Sequence, residues 1–232
     1  MLNEPAVNRT AFGKRPWIKI CGLTDPDNAL ACARLCPDAL GLVFYEKSPR
    51  NVTLDQAARI TKVLPRHILP IGVFVDNSIE DILEKVKGCG LKGVQLHGKE
   101  SPELVGQLKK EDLFVIKALF AAKEPYLSRA MEYSNASALL VEYGKGILPG
   151  GNAESWNYEL SSRINTKCPI IIAGGLSPMN AAEAVKAARP FGVDVSSGVE
   201  KTPGLKDIDK VNAFIARVKP LRDLSTRPDR EV

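Results

Sequence analysis

Two histidines, five cysteines and no Cys-x-x-Cys pair leave this 232-residue chain without the usual ligands of a zinc site and with an odd count for a disulfide framework. Aromatic residues are scarce, at 6%, and the basic residues never gather into a run of five, so the stacking platforms and basic patches of a nucleic-acid binder are missing. No apolar run approaches the roughly 18 residues that cross a bilayer, and the opening MLNEPAVNRTAFGKR lacks the apolar core of a signal peptide. These absences predict a cytoplasmic protein that meets neither membrane nor nucleic acid. The first apolar run is not followed by G-x-G-x-x-G, which removes the usual dinucleotide fingerprint.

What is present is ordinary globular material, 44% apolar and 25% charged with a formal charge of +5, and a regular alternation. The apolar runs WIKIC, ALGLVFY, ILPIGVFVD, GVQLHG, FVIKAL, SALLVEY, PIIIAGG and FGVDVSSG read as strands buried on both faces. Between and after them lie amphipathic segments whose starts carry Ser or Asp before Pro or Glu: DPDNALACARLC, TLDQAARITKVL, SIEDILEKVK, SPELVGQLKK, EPYLSRAMEY, WNYELSSRI, SPMNAAEAVKAA and DIDKVNAFIARV. Eight strands each followed by a helix predict an α/β fold, a single (β/α)8 TIM barrel over residues 17–219, with tails at 1–16 and 220–232. An open doubly wound sheet is the competing topology.

Active sites of such barrels lie at the C-terminal ends of the strands. That filter selects Cys21, Arg50, Asp76, His97, Lys117, Glu142, Gly174 with Gly175, Asp194, and Ser196 to Gly198. The turns AGGLSPMN and DVSSGVE end strands seven and eight, where backbone N–H groups freed by glycine suit a phosphate. Cys21 closes strand one and faces the mouth, unlike Cys32, Cys36, Cys89 and Cys168, which fall in or beside helices. Lys19, two residues back, shares its face and is expected to favour the thiolate. Glu142 closes strand six on the far side, where shielding from water lets a carboxylic acid act as a general acid. A base and an acid flanking a phosphate-anchored ligand suit a sugar-phosphate isomerisation, with Arg50 available for an anionic or aromatic group.

Taken together and in order, KICG (19–22), GLVFY-x-KSPR (41–50), IGVFVDNS (71–78), VQLHG (94–98), VIKA (115–118), AGGL (173–176) and VDVSSGVE-x-x-PG (193–204) resemble the phosphoribosylanthranilate isomerases of tryptophan biosynthesis. The resemblance runs from about residue 17 to residue 218. It implies an Amadori rearrangement of N-(5′-phosphoribosyl)anthranilate with no cofactor and no metal, on a phosphorylated sugar substrate, in a monomer or a homodimer. Cys21 matches the general base, Arg50 the substrate-binding arginine, and Gly174, Gly175, Ser197 and Gly198 the phosphate turns. Lys19, Gln95 and His97 are the further expected substrate contacts.

One region departs from the family pattern. LLVEYGKGILPGGNAESWNY has Glu142 where the family has Asp, Asn152 and Ala153 at the end of a glycine string, and Trp156-Asn157-Tyr158 in place of an FDW-like string. The departure leaves three readings: an isomerase with Glu142 as its acid, a barrel retuned for another phosphorylated amino-sugar, and a barrel that binds sugar phosphate without turnover.

Overall fold

A computed structural model describes residues 16–144 and 155–221. Most of the two expected tails, Asn152, Ala153 and the greater part of the strand-six loop lie outside these residues. Eight parallel strands close into a barrel in sequence order: β1 (Trp17–Cys21), β2 (Ala39–Phe44), β3 (Leu69–Phe74), β4 (Gly93–Leu96), β5 (Phe114–Phe120), β6 (Ala138–Glu142), β7 (Ile170–Ile172) and β8 (Gly192–Val195). Closure is made by β1 against β8, with Lys19 in register with Asp194. The open sheet is thereby excluded.

The helices are α1 (Pro26–Arg34), α2 (Leu54–Val63), α3 (Ile79–Cys89), α4 (Pro102–Lys109), α5 (Ala181–Ala188) and α6 (Ile208–Val218). Asp25, Thr53, Ser78, Ser101 and Asp207 each accept a backbone N–H of the helix they start, as the sequence predicts, whereas α5 starts only after Asn180 and has no side-chain cap. Two expected helices are instead 3-10 segments, Leu127–Tyr133 and Tyr158–Arg163. In the second, the hydroxyls of Ser161 and Ser162 donate to the carbonyls of Tyr158 and Glu159, a local bond that competes with the α ladder. In the first, buried Tyr133 ties the end of the segment to the carbonyl of Glu100.

An antiparallel hairpin, β9 (Glu200–Thr202) with β10 (Leu205–Lys206), follows β8 where only a loop was expected. Pro203-Gly204 was the sequence signal for it, with Gly204 at φ 88. Strand β7 is three residues long because Gly174 (φ 82) and Gly175 (φ 66) turn the chain out of the sheet in a region that favours glycine.

Strand residues alternate between two cores. Along β5, Phe114, Ile116, Ala118 and Phe120 fill the barrel, while Val115 and Leu119 pack outward against the helices. Each buried Phe, Ile, Val or Leu among them contributes about 1.5–3 kcal/mol relative to exposure.

Candidate active site

The C-terminal ends of the strands open into one cleft. Cys21, Arg50, Gln95, His97, Glu142, Gly174, Gly175 and Ser197 line it, as does Asp194. Around the barrel the order is β6, β7, β8, β1, so the two glycine turns occupy the short arc between Glu142 and Cys21.

Two of the expected contacts are not on the cleft wall. Lys19 is fully buried beneath it, with Nζ 2.9 Å from Asp194 Oδ2. Gly198 lies in the single 3-10 turn Ser197–Val199, packed so closely on the Leu176 carbonyl that any Cβ would overlap it. Both act on the wall from behind: Lys19 through charge, Gly198 by letting the two turns touch.

The electrostatics of Cys21 differ from the sequence expectation. Burial pushes its thiol up, and Lys19, through charge and a side-chain hydrogen bond, opposes that rise without overcoming it. Burial also works against the Lys19 charge, but Asp194 and Cys21 outweigh it and hold the ammonium above its ordinary pKa. A cation therefore stands ready to stabilise the thiolate when it forms. The other Asp194 oxygen, Oδ1, is buried and has no hydrogen-bond partner among the described residues.

Arg50 is fixed by a residue that the sequence reading did not single out. Its Nε and Nη2 donate to Glu200 Oε1 and Oε2 at 2.8 and 2.6 Å, a bidentate pair. Glu200 also accepts from Lys206 Nζ at 2.6 Å and from the Gly204 N–H. Burial alone would raise Glu200, yet Arg50 and Lys206 hold its carboxyl below the usual range. The hydrogen bond to Glu200 is likewise the main cause that holds Arg50 firmly charged. With Nε and Nη2 engaged, the Nη1 side of the fork is left for an incoming carboxylate. The available signal was Glu200 itself, an acid directly after the strand-eight turn, but its pairing with Arg50 spans 150 residues.

The string Trp156-Asn157-Tyr158 straps the strand-seven turn. Trp156 Nε1 donates to the carbonyl of Ala173 at 2.9 Å and the Tyr158 hydroxyl to that of Gly174 at 2.6 Å. Burial pushes the Tyr158 hydroxyl up to about 12, so it stays a donor across the working pH range.

Two strand-end candidates fall outside the cleft. Asp76, selected for its place at the end of the third strand, accepts the Lys99 N–H and does not line the wall. Lys117 has the outward parity of Val115 and Leu119; its Nζ bonds the carbonyls of Leu96 and Gly98 and Glu100 Oε2, which anchors the loop after β4.

On the β4–β6 side the polar groups form a chain. Gln95 Nε2 lies 2.9 Å from His97 Nδ1, and His97 Nε2 lies 3.4 Å from Glu142 Oε1.

Comparison with known proteins matches this arrangement to one family. The family model described as N-(5′-phosphoribosyl)anthranilate (PRA) isomerase matches residues 18–217. The N-(5′-phosphoribosyl)anthranilate isomerase of Desulfatibacillum aliphaticivorans is 49% identical over 198 residues, covering 85% of this chain and 90% of that relative. The crystal structure of phosphoribosylanthranilate isomerase from Thermotoga maritima is 36% identical with a TM-score of 0.79, covering 87% of this chain and 98% of the other. A solved complex of such an isomerase with reduced 1-(o-carboxyphenylamino)-1-deoxyribulose 5-phosphate is also 36% identical, with a TM-score of 0.76 over 87% of this chain and 97% of the other.

Proposed function

This chain belongs to the N-(5′-phosphoribosyl)anthranilate isomerase family, and on that premise we propose that it works with Cys21 as general base and Glu142 as general acid. It is an aldose–ketose isomerase of tryptophan biosynthesis that rearranges N-(5′-phosphoribosyl)anthranilate to the 1-deoxyribulose isomer. The observation that carries the assignment is the facing of Cys21 and Glu142 across one cleft, with the glycine turns of β7 and β8 on the arc between them.

Phosphate held by the turns at Gly174, Gly175, Ser197 and Gly198 fixes one end of the substrate, and Arg50 takes the anthranilate carboxylate at the other. Glu142 protonates the furanose ring oxygen; the C1–O bond breaks with its electrons on that oxygen, and C1 becomes an iminium carbon. The iminium acidifies the C2 hydrogen, which the Cys21 thiolate removes to give the enolamine. The enolamine hydroxyl then loses its proton and C1 gains one, so the reaction closes with no net proton taken up. The substrate nitrogen serves as electron sink, so every step asked of the protein is a proton transfer or a binding contact. A thiol raised by burial is less often ionised, but each thiolate formed is a stronger base.

The homodimer remains a proposal; a Thermotoga maritima relative is described as dimeric, and light scattering on this chain decides the point. The activity is tested by generating phosphoribosylanthranilate in situ and following the loss of its anthranilate fluorescence. Rapid decay that Cys21→Ala abolishes is expected. Decay at the same rate in both proteins overturns the base assignment.

A further inference from the structure

The substitution of Glu for Asp at position 142 adds a methylene to the proposed general acid, and the structure shows where that length goes. Glu142 Oε1 reaches the Nε2 of His97, a contact of 3.4 Å between two buried side chains. We propose that His97, held in one tautomer by Gln95, is a positioning residue for Glu142: it captures Oε1 and leaves Oε2 to carry the acidic proton toward the substrate. The proposal rests on the reading of Glu142 as general acid.

The tautomer follows from the donor inventory. A side-chain amide nitrogen donates and cannot accept, so the Gln95 Nε2 contact at 2.9 Å requires a lone pair on His97 Nδ1. The ring proton then sits on Nε2, aimed at Glu142 Oε1. A doubly protonated ring would set an N–H against the Gln95 amide hydrogens.

The orientation of the Gln95 amide is supported by what it leaves over. As placed, the buried atom without a partner is Gln95 Oε1, an acceptor on a residue that lines the cleft. Turned over, the amide would instead leave two buried donors unpaired, and orphaned buried N–H groups are rarer than under-satisfied carbonyls. The free oxygen suits a substrate hydroxyl.

Phe120 supports the ring of His97. It lies edge-on to the His97 ring, with centroids 5.4 Å apart at 78°, and is the register partner of Glu142 on the neighbouring strand. The ring thus packs on an aromatic side chain of the strand next to the one that carries Glu142. An aspartate at 142 would withdraw its carboxyl by about 1 Å or more, stretching the 3.4 Å contact to beyond roughly 4 Å, where no N–H···O bond forms. At 3.4 Å the present contact is at the long end for a hydrogen bond.

The chemical consequence is a division of labour between the two carboxyl oxygens. With Oε1 accepting from Nε2–H, the acid's own O–H is on Oε2. That O–H breaks as the ring oxygen gains its hydrogen and the C1–O electrons, and the carboxylate left behind is already facing an N–H donor.

The test is a double-mutant cycle in the fluorescence assay with His97→Asn, Glu142→Asp and the pair, and Glu142→Gln alongside. His97→Asn is expected to lower kcat tenfold or more in the native background, with KM changed less than threefold, and to lower it less than twofold once Glu142→Asp has broken the contact. Equal losses in both backgrounds, or an effect on KM alone, overturn the proposal while leaving the acid assignment standing. Full activity of Glu142→Gln overturns the acid assignment itself. Because the chain has only His67 and His97, 15N-histidine NMR of the native protein reads the tautomer directly. An Nε2–H tautomer at His97 that Gln95→Leu disturbs is expected; an Nδ1–H tautomer overturns the proposal whether or not the variants fold.

Discussion

The two ends of the barrel are made by the same eight strands and differ in what they bury. At the N-terminal end Trp17 stacks on Phe191, with centroids 6.2 Å apart, and tilts against Phe114 at 5.9 Å. That end is an apolar plug. At the C-terminal end the buried side chains include Lys19, Arg50, Gln95, His97, Glu142, Asp194, Glu200 and Lys206. Each of these costs desolvation that only a partner offsets, and two atoms, Gln95 Oε1 and Asp194 Oδ1, have none among the described residues. The plug contributes stability, and the mouth gives some of it up to hold charged and polar groups in readiness for a ligand.

Mutations at the two ends should separate these roles. The largest effect is expected at the mouth: Cys21→Ala should lower kcat by about 10²–10⁴-fold, the range of general-base catalysis, with little change in KM or melting temperature. Near-normal kcat, or a large loss of stability, would break the comparison. At the plug, Trp17→Ala should cost about 3–5 kcal/mol in urea unfolding while kcat per folded molecule is retained. A catalytic loss per folded molecule would show that the ends are coupled.

The pH profile sharpens the contrast within the mouth. Burial raises Cys21 above an ordinary thiol and the thiolate is the active form, so the thiol contributes to kcat/KM a limb that climbs with pH from neutrality, by up to about tenfold per unit, until it has ionised. The same shift acts oppositely on folding. The native state holds this proton more tightly than the unfolded chain, so its contribution to stability is present below the ordinary thiol pKa and is lost as pH rises through the raised one. A kcat/KM profile whose shape Cys21→Ser leaves unchanged would remove Cys21 as base. The smallest effect is expected at the strap: Tyr158→Phe deletes one hydrogen bond to the Gly174 carbonyl, about 1 kcal/mol, and should raise KM a few-fold with kcat unchanged. An unchanged KM would mean that Trp156 alone holds the turn.

Much of this layout was legible in the chain. Cys21, His97, Glu142 and the two glycine turns follow apolar runs, and in a barrel the end of a strand is a position in the site, so linear order translated directly into place. Parity also placed Lys19 and Cys21 on one face. What parity could not tell was depth: Lys19 lies a layer below the wall, and Lys117, one residue out of phase with Ile116 and Ala118, faces the helices. The two 3-10 segments had helix-like patterns and good starts, but tertiary anchors such as Tyr133 and local hydroxyl bonds decided their pitch.

The sequence by itself determined the repeat, the barrel and the identity of the groups at its mouth, because hydrophobic period and capping chemistry act between near neighbours. Only the tertiary structure decided how those groups work: that Glu200 and Lys206 hold Arg50, that Asp194 holds Lys19, and that burial sends the Cys21 thiol up rather than down. Charge pairing and desolvation depend on distance and on exclusion of water, and closing the barrel brings together residues as far apart in the chain as Lys19 and Asp194.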